Sequence, residues 1–156
     1  MSTRIPTLLG QPRPPNLALL MREAFIALNN LVFVRLAERG YDVIRPAHGA
    51  VFQYLDDDGT TVALLAQRAQ MTKQAMAELV AYLEAHGFVA RIPDPSDRRA
   101  KLVIPTDRGR DVVAVAQELV PEVEQRLISI LGADRFSALG ADLKAITQAV
   151  PQWSRQ

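Results

Sequence analysis

The sequence predicts a mainly α chain with a small β-hairpin wing, a winged helix-turn-helix set between long N- and C-terminal dimerisation helices. Three observations point there. Two short amphipathic segments, each preceded by threonine, lie on either side of a tight turn near Gln70, the spacing of a helix-turn-helix. Directly after them, the extended runs FVARI and AKLVIP enclose a Pro- and Asp-rich tip, PDPSDRR, with a basic end. Apolar repeats of helical period flank this middle on both sides. A chain of 156 residues has room for one small domain plus such helices, but not comfortably for two full domains.

Residues 1–15 read as an N-terminal arm, flexible or packed on a partner; their apolar patch is too short for a secretory signal. Residues 16–40 read as a dimerisation helix, capped by Asn16, closed by Gly40, with Leu17, Leu20, Met21, Ala24, Leu28, Leu31, Val32 and Leu36 as its apolar positions. Residues 41–105 form the winged domain. Pro46 suits the first turn of a short helix bearing Val51, Phe52 and Leu55, which the Asp56–Gly59 turn stops. Thr60 and Thr61 can cap a segment carrying Val62, Leu65 and Ala69; Thr72 can cap the next, with Met76, Leu79, Val80 and Leu83, until His86 and Gly87 close it. Residues 106–156 supply the C-terminal dimerisation helices. Thr106 caps the first, in which Pro121 is expected to cause a kink or a division. After Gly132, Phe136, Leu139, Leu143, Ile146 and Val150 step by three and four as a regular seam. With no large sheet to cover these helices, a second copy of the chain is the economical partner, the alternative being a monomeric bundle.

Composition narrows the chemistry. A hydrophobic share of 49% with 22% charged residues fits a soluble globular protein. The absence of cysteine excludes disulfides, thiolate metal sites and a nucleophilic thiol. With only His48 and His86, and no phosphate-cradling glycine loop, G-x-S-x-G or H-E-x-x-H pattern, the chain is not expected to be an enzyme. Asp56, Asp57 and Asp58 end in Gly59 without the spaced ligands of a calcium loop, so neither metal nor cofactor is expected. No run of eighteen uncharged apolar residues occurs, which argues against a membrane partner and for a cytoplasmic, nucleoid-associated location.

The chain is nearly neutral, at net +1, so an anionic partner must be met by a local patch. Residues 61–110 carry eight basic and five acidic side chains, an excess of three positive charges that leaves −2 for the remainder. A helix-turn-helix with this bias points to double-stranded DNA. Opposite the apolar stripe, the start of the second helix displays Thr72, Lys73, Gln74 and Ala77: a donor, an amide suited to adenine, and a residue small enough to admit a base edge. On the wing, Arg98 and Arg99 can project into a minor groove, Asp97 can hold the tip by accepting from an arginine or turn amides, and Arg91 and Lys101 can contact phosphates.

The segment LLAQRAQMTKQAMAELVAYLEAHGFVARIPDPSDRRAKLVIPTDRGR, above all its wing signature from Asp94 to Gly109, resembles the MarR family of bacterial transcriptional regulators. The resemblance runs from Asn16 to the end. It implies a two-fold symmetric homodimer that binds a palindromic promoter site, usually to repress, and often releases DNA when a small aromatic or phenolic anion binds.

Three residues depart from the family pattern. Gln70 stands where many such turns have glycine, and Glu78 and Tyr82 occupy recognition-helix positions that are often basic; Glu78 repels phosphate but can accept from cytosine. For an effector, Phe33, Tyr41, Arg45, His48 and Phe52 offer apolar walls, a cation and a titratable ring between the long helices and the winged domain. The rival reading is a winged-helix dimerisation or protein-interaction module that never touches DNA.

Overall fold

The computed structural model describes residues 7–8, 11–12 and 16–153. Thr7–Leu8 (β1) and Gln11–Pro12 (β2) pair antiparallel; the remainder of the expected arm lies outside the described residues. Leu17–Glu38 (α1) starts where the Asn16 side chain accepts the Leu19 amide and ends before Gly40 at φ +85°, a left-handed position that suits glycine. A 3-10 turn at Pro46–His48 leads into Gly49–Tyr54 (α2), with Leu55 just past its end.

Thr61 caps Val62–Arg68 (α3) and Thr72 caps Lys73–Ala85 (α4), each hydroxyl accepting the amide three residues on. Val89–Pro93 (β3) and Lys101–Pro105 (β4) pair antiparallel, from Val89 opposite Pro105 to Pro93 opposite Lys101. Thr60 is not a cap: its backbone makes two bridging hydrogen bonds with Val103, both 2.9 Å, and tacks the α2–α3 connection onto the wing. Leu65, Met76, Val80, Leu83, Phe88, Val89 and Val103 bury together beneath the helix-turn-helix. This is a mainly helical winged helix.

Asp107–Leu131 (α5) and Ala133–Trp153 (α6) follow. Pro121 does not divide α5. Glu118 and Glu122, on either side of that proline, bind Arg39 and Arg35 of α1 at 3.2 and 3.1 Å, and Leu119 is buried between them. Packing on α1 thus holds the helix through the missing backbone donor.

α1 is apolar on more than one side. Val32, Phe33 and Leu36 face the core, yet Leu17, Leu20, Phe25, Ile26, Leu28, Leu31 and Val34 remain exposed. By length and composition it is the one helix among the described residues that could cross a membrane, although Arg22, Glu23 and Arg35 interrupt its sequence. The α6 seam is also uncovered at Leu139, Leu143 and Val150, with Trp153 beyond it 70% exposed.

Candidate nucleic-acid interface

The first turn of α4 presents Thr72, Lys73 and Gln74 to solvent, with Ala77 half-buried behind them. Thr72 Oγ1 is occupied as the cap, accepting the Ala75 amide at 3.2 Å, while its hydroxyl proton stays available. Gln74 donates to Glu78 Oε1 at 3.4 Å. The turn that sets α4 against α3 passes through Gln70 at φ +53°, the position where glycine would be unstrained.

The wing tip is tied by its own acidic residues. The Asp94 carboxylate accepts the Ser96 amide at 2.8 Å and the Ser96 hydroxyl at 2.7 Å, and these bonds hold its pKa below the usual carboxylate range. Asp97 Oδ1 accepts the Arg99 amide at 2.9 Å, and the Asp94 amide reaches the Ala100 carbonyl at 3.1 Å. Asp97 therefore grips a turn amide and leaves the guanidinium groups alone.

The eight basic residues from 61 to 110 divide into two sets. Arg68 binds Asp56 at 2.7 Å and the Tyr54 carbonyl at 2.8 Å; Arg108 donates to the His86 carbonyl and lies over the Phe88 ring; Arg110 donates to the Pro105 carbonyl. Arg91, expected on a phosphate, is instead drawn inward. Its residue pairs with Val103 on the core face of the hairpin, its Nε is buried, and it lies 3.3 Å from Glu84 of α4. The cause is strand alternation from the buried Val89, which places residue 91 on the same side. Lys73, Arg98, Arg99 and Lys101 are exposed, and their side chains make no ion pair or hydrogen bond among the described residues.

The five residues expected to gather around an effector separate. Phe33 and Phe52 line a cleft of about 400 Å³ between α1, α2 and α5, together with Val32, Leu36, Val112 and Val120 and the amides of Asn29, Gln53 and Gln117. Tyr41 turns away to meet Phe88 edge-on, at 6.1 Å between centroids. His48 is buried under Tyr82, with rings stacked 4.5 Å apart, and its Nδ1 accepts the Arg45 amide at 3.0 Å. Arg45 and His48 are thus outside the cleft wall. Burial, then the charge of Arg45 and the proximity of His86, lower the His48 pKa from 6.5 and favour its neutral ring. Tyr82 likewise leaves the DNA-facing side: it lies between His48 and His86 and donates to the Val43 carbonyl at 3.2 Å. Sequence reasoning did not place Arg110 beside the cleft. That residue lines an adjoining pocket of about 520 Å³ that shares Phe52, Val113 and Gln117.

A capped helix pair, a polar helix start and a cationic hairpin define the class: a winged helix-turn-helix DNA-binding fold. Comparison with known proteins narrows it. A model described as MarR family matches residues 41–100. Transcriptional regulator HosA of Escherichia coli O111:H- is 28% identical over 93 residues, 60% of this chain and 69% of HosA. Transcriptional activatory protein BadR of Rhodopseudomonas palustris is 32% identical over 84 residues, 54% of this chain and 47% of BadR. Among solved structures, the transcriptional repressor CouR bound to a 23-mer DNA duplex superposes with a TM-score of 0.68 at 27% identity, covering 85% of this chain and 92% of CouR. Over its winged domain the chain thus matches the MarR family, and along most of its length it is similar in fold to a regulator of known structure.

Proposed function

We propose that this regulator binds a palindromic operator as a homodimer and represses from it. One observation carries the reading: among the described residues from 61 to 110, the basic side chains without a hydrogen bond or ion pair are Lys73 at the start of α4 and Arg98, Arg99 and Lys101 on the wing. Four exposed cations on the two elements that a winged helix offers to DNA suit base contact by α4 and groove contact by the hairpin. Thr72, Gln74 and Ala77 complete the reading surface, Asp97 stiffens the tip, and Arg91 supports the wing through Glu84. The likeness to a DNA-bound repressor over most of the chain favours repression.

The second copy covers the exposed apolar residues of α1 and α6, since leaving them in water forfeits about 25 cal/mol for each Å². Two-fold symmetry then sets two α4 helices about 34–36 Å apart, one turn of the duplex. An effector with an apolar, aromatic body fits the cleft between α1, α2 and α5. It releases DNA if it binds better to a spacing of the two lobes that does not match the groove.

The test is fluorescence anisotropy with the DNA upstream of the protein's own gene at two salt concentrations. Saturable binding that weakens steeply with salt is expected. A dimer showing no such binding is the result that favours the interaction module and removes the DNA reading.

A further inference from the structure

Glu78 stands in the middle of the outward face of α4. Helical periodicity places it with Gln74, Ala81 and Ala85, opposite the buried Met76, Val80 and Leu83. No cation neutralises its carboxylate among the described residues. Its one hydrogen bond among them comes from the Gln74 amide to Oε1, which leaves Oε2 open. Ala77 and Ala81 flank it with small side chains, so the helix can approach a base closely at this point.

If α4 enters the major groove, a carboxylate at this place on its outward face meets the groove floor, away from the phosphate walls. Once its water is displaced, an ionised acceptor needs a donor, or its desolvation opposes binding. The groove offers donors at cytosine N4 and adenine N6, but adenine carries the N7 acceptor beside its amino group, which repels a carboxylate. We propose that Glu78 is a specificity residue of the operator contact, accepting from cytosine N4 in each half-site, with Gln74 holding the carboxylate in place. The assignment rests on the DNA-binding reading above. It also implies that Glu78 lowers affinity for sequences lacking a cytosine at that position, by repulsion from acceptors and phosphates.

The full-length protein and Glu78→Gln are each used to select from a randomised duplex library. The recovered sites are then remeasured by competition anisotropy with single base pairs replaced. Gln keeps the size and exposed position of the side chain, and an unchanged melting temperature confirms the fold. Sites selected by the unaltered protein should share a symmetric C·G pair whose replacement weakens binding about tenfold or more. For Glu78→Gln that preference should disappear or move toward adenine, and the replaced duplexes should bind at least as tightly as to the unaltered protein. Identical base preferences for the two proteins, or selected sites without the shared C·G pair, overturn the assignment while leaving DNA binding intact. Failure of the unaltered protein to select any duplex overturns the DNA-binding reading itself.

Discussion

Gly109 lies in the first turn of α5, where that helix meets the end of α4 and the root of the wing. A methyl group added there runs into the carbonyl oxygen of Phe88, which already accepts the Thr106 amide at 3.1 Å. The obstacle is backbone, so no rotamer change relieves it. The start of α5 must move instead, straining the Thr106 hydroxyl bond to the Gly87 carbonyl, 2.7 Å, and the Arg108 contact with Phe88. Overpacking of this kind costs about 1–3 kcal/mol, and a weakened backbone hydrogen bond adds about 1 kcal/mol. Alanine's better helix propensity returns about 1 kcal/mol. Gly109→Ala should therefore destabilise by roughly 1–3 kcal/mol and lower the melting temperature by roughly 2–12 °C for a chain of this length. Gly140 of α6 has nothing within 4 Å of the corresponding methyl position, so Gly140→Ala in the same host should raise stability. Circular dichroism melts at matched protein concentration check both. A Gly109→Ala protein that melts at or above the unaltered temperature would refute the reasoning about this junction.

The exposed Gln70 holds a left-handed backbone with no side-chain hydrogen bond or ion pair among the described residues, so Gln70→Gly should stabilise by about 0.5–1 kcal/mol, read as a small rise in melting temperature; a fall would show that its side chain matters. His48 gives a pH dependence of definite sign. Its pKa is lower in the folded chain than the ordinary 6.5, so its contribution is complete above pH 6.5 and is lost as pH falls through the lowered value. Stability should decline on acidification from pH 7.5 to 5.5, and His48→Asn, which keeps an acceptor near the Arg45 amide, should flatten the decline. An equal slope in the two proteins would remove His48 as its source.

The parts of this fold that were legible from sequence are those where one residue type has one local use. Asn16, Thr61, Thr72 and Thr106 all cap helices, because each places an oxygen where the first-turn amides lack partners. The hairpin was equally readable, because extended runs flanked a Pro- and Asp-rich turn. What failed depends on direction rather than on type. The irregular stretch from Tyr41 to His48 has no periodicity to say which way a ring points, and packing sent Tyr41 to Phe88 and His48 to Tyr82, away from Phe33 and Phe52. The Arg91 pairing with Glu84 went unread, although alternation from Val89 could have put the residue on the inner face. The Thr60 bridge to Val103 joins residues more than forty positions apart, beyond the reach of local pattern.

The account rests on the wing arginines meeting DNA, and the salt dependence of operator affinity for Arg98→Ala beside the unaltered protein measures that most directly. Loss of one contact from each of two wings should weaken binding and reduce the slope of log Kobs against log salt by about 1.8, or about 0.9 per wing. Unchanged affinity with an unchanged slope would contradict it and take the wing out of the interface.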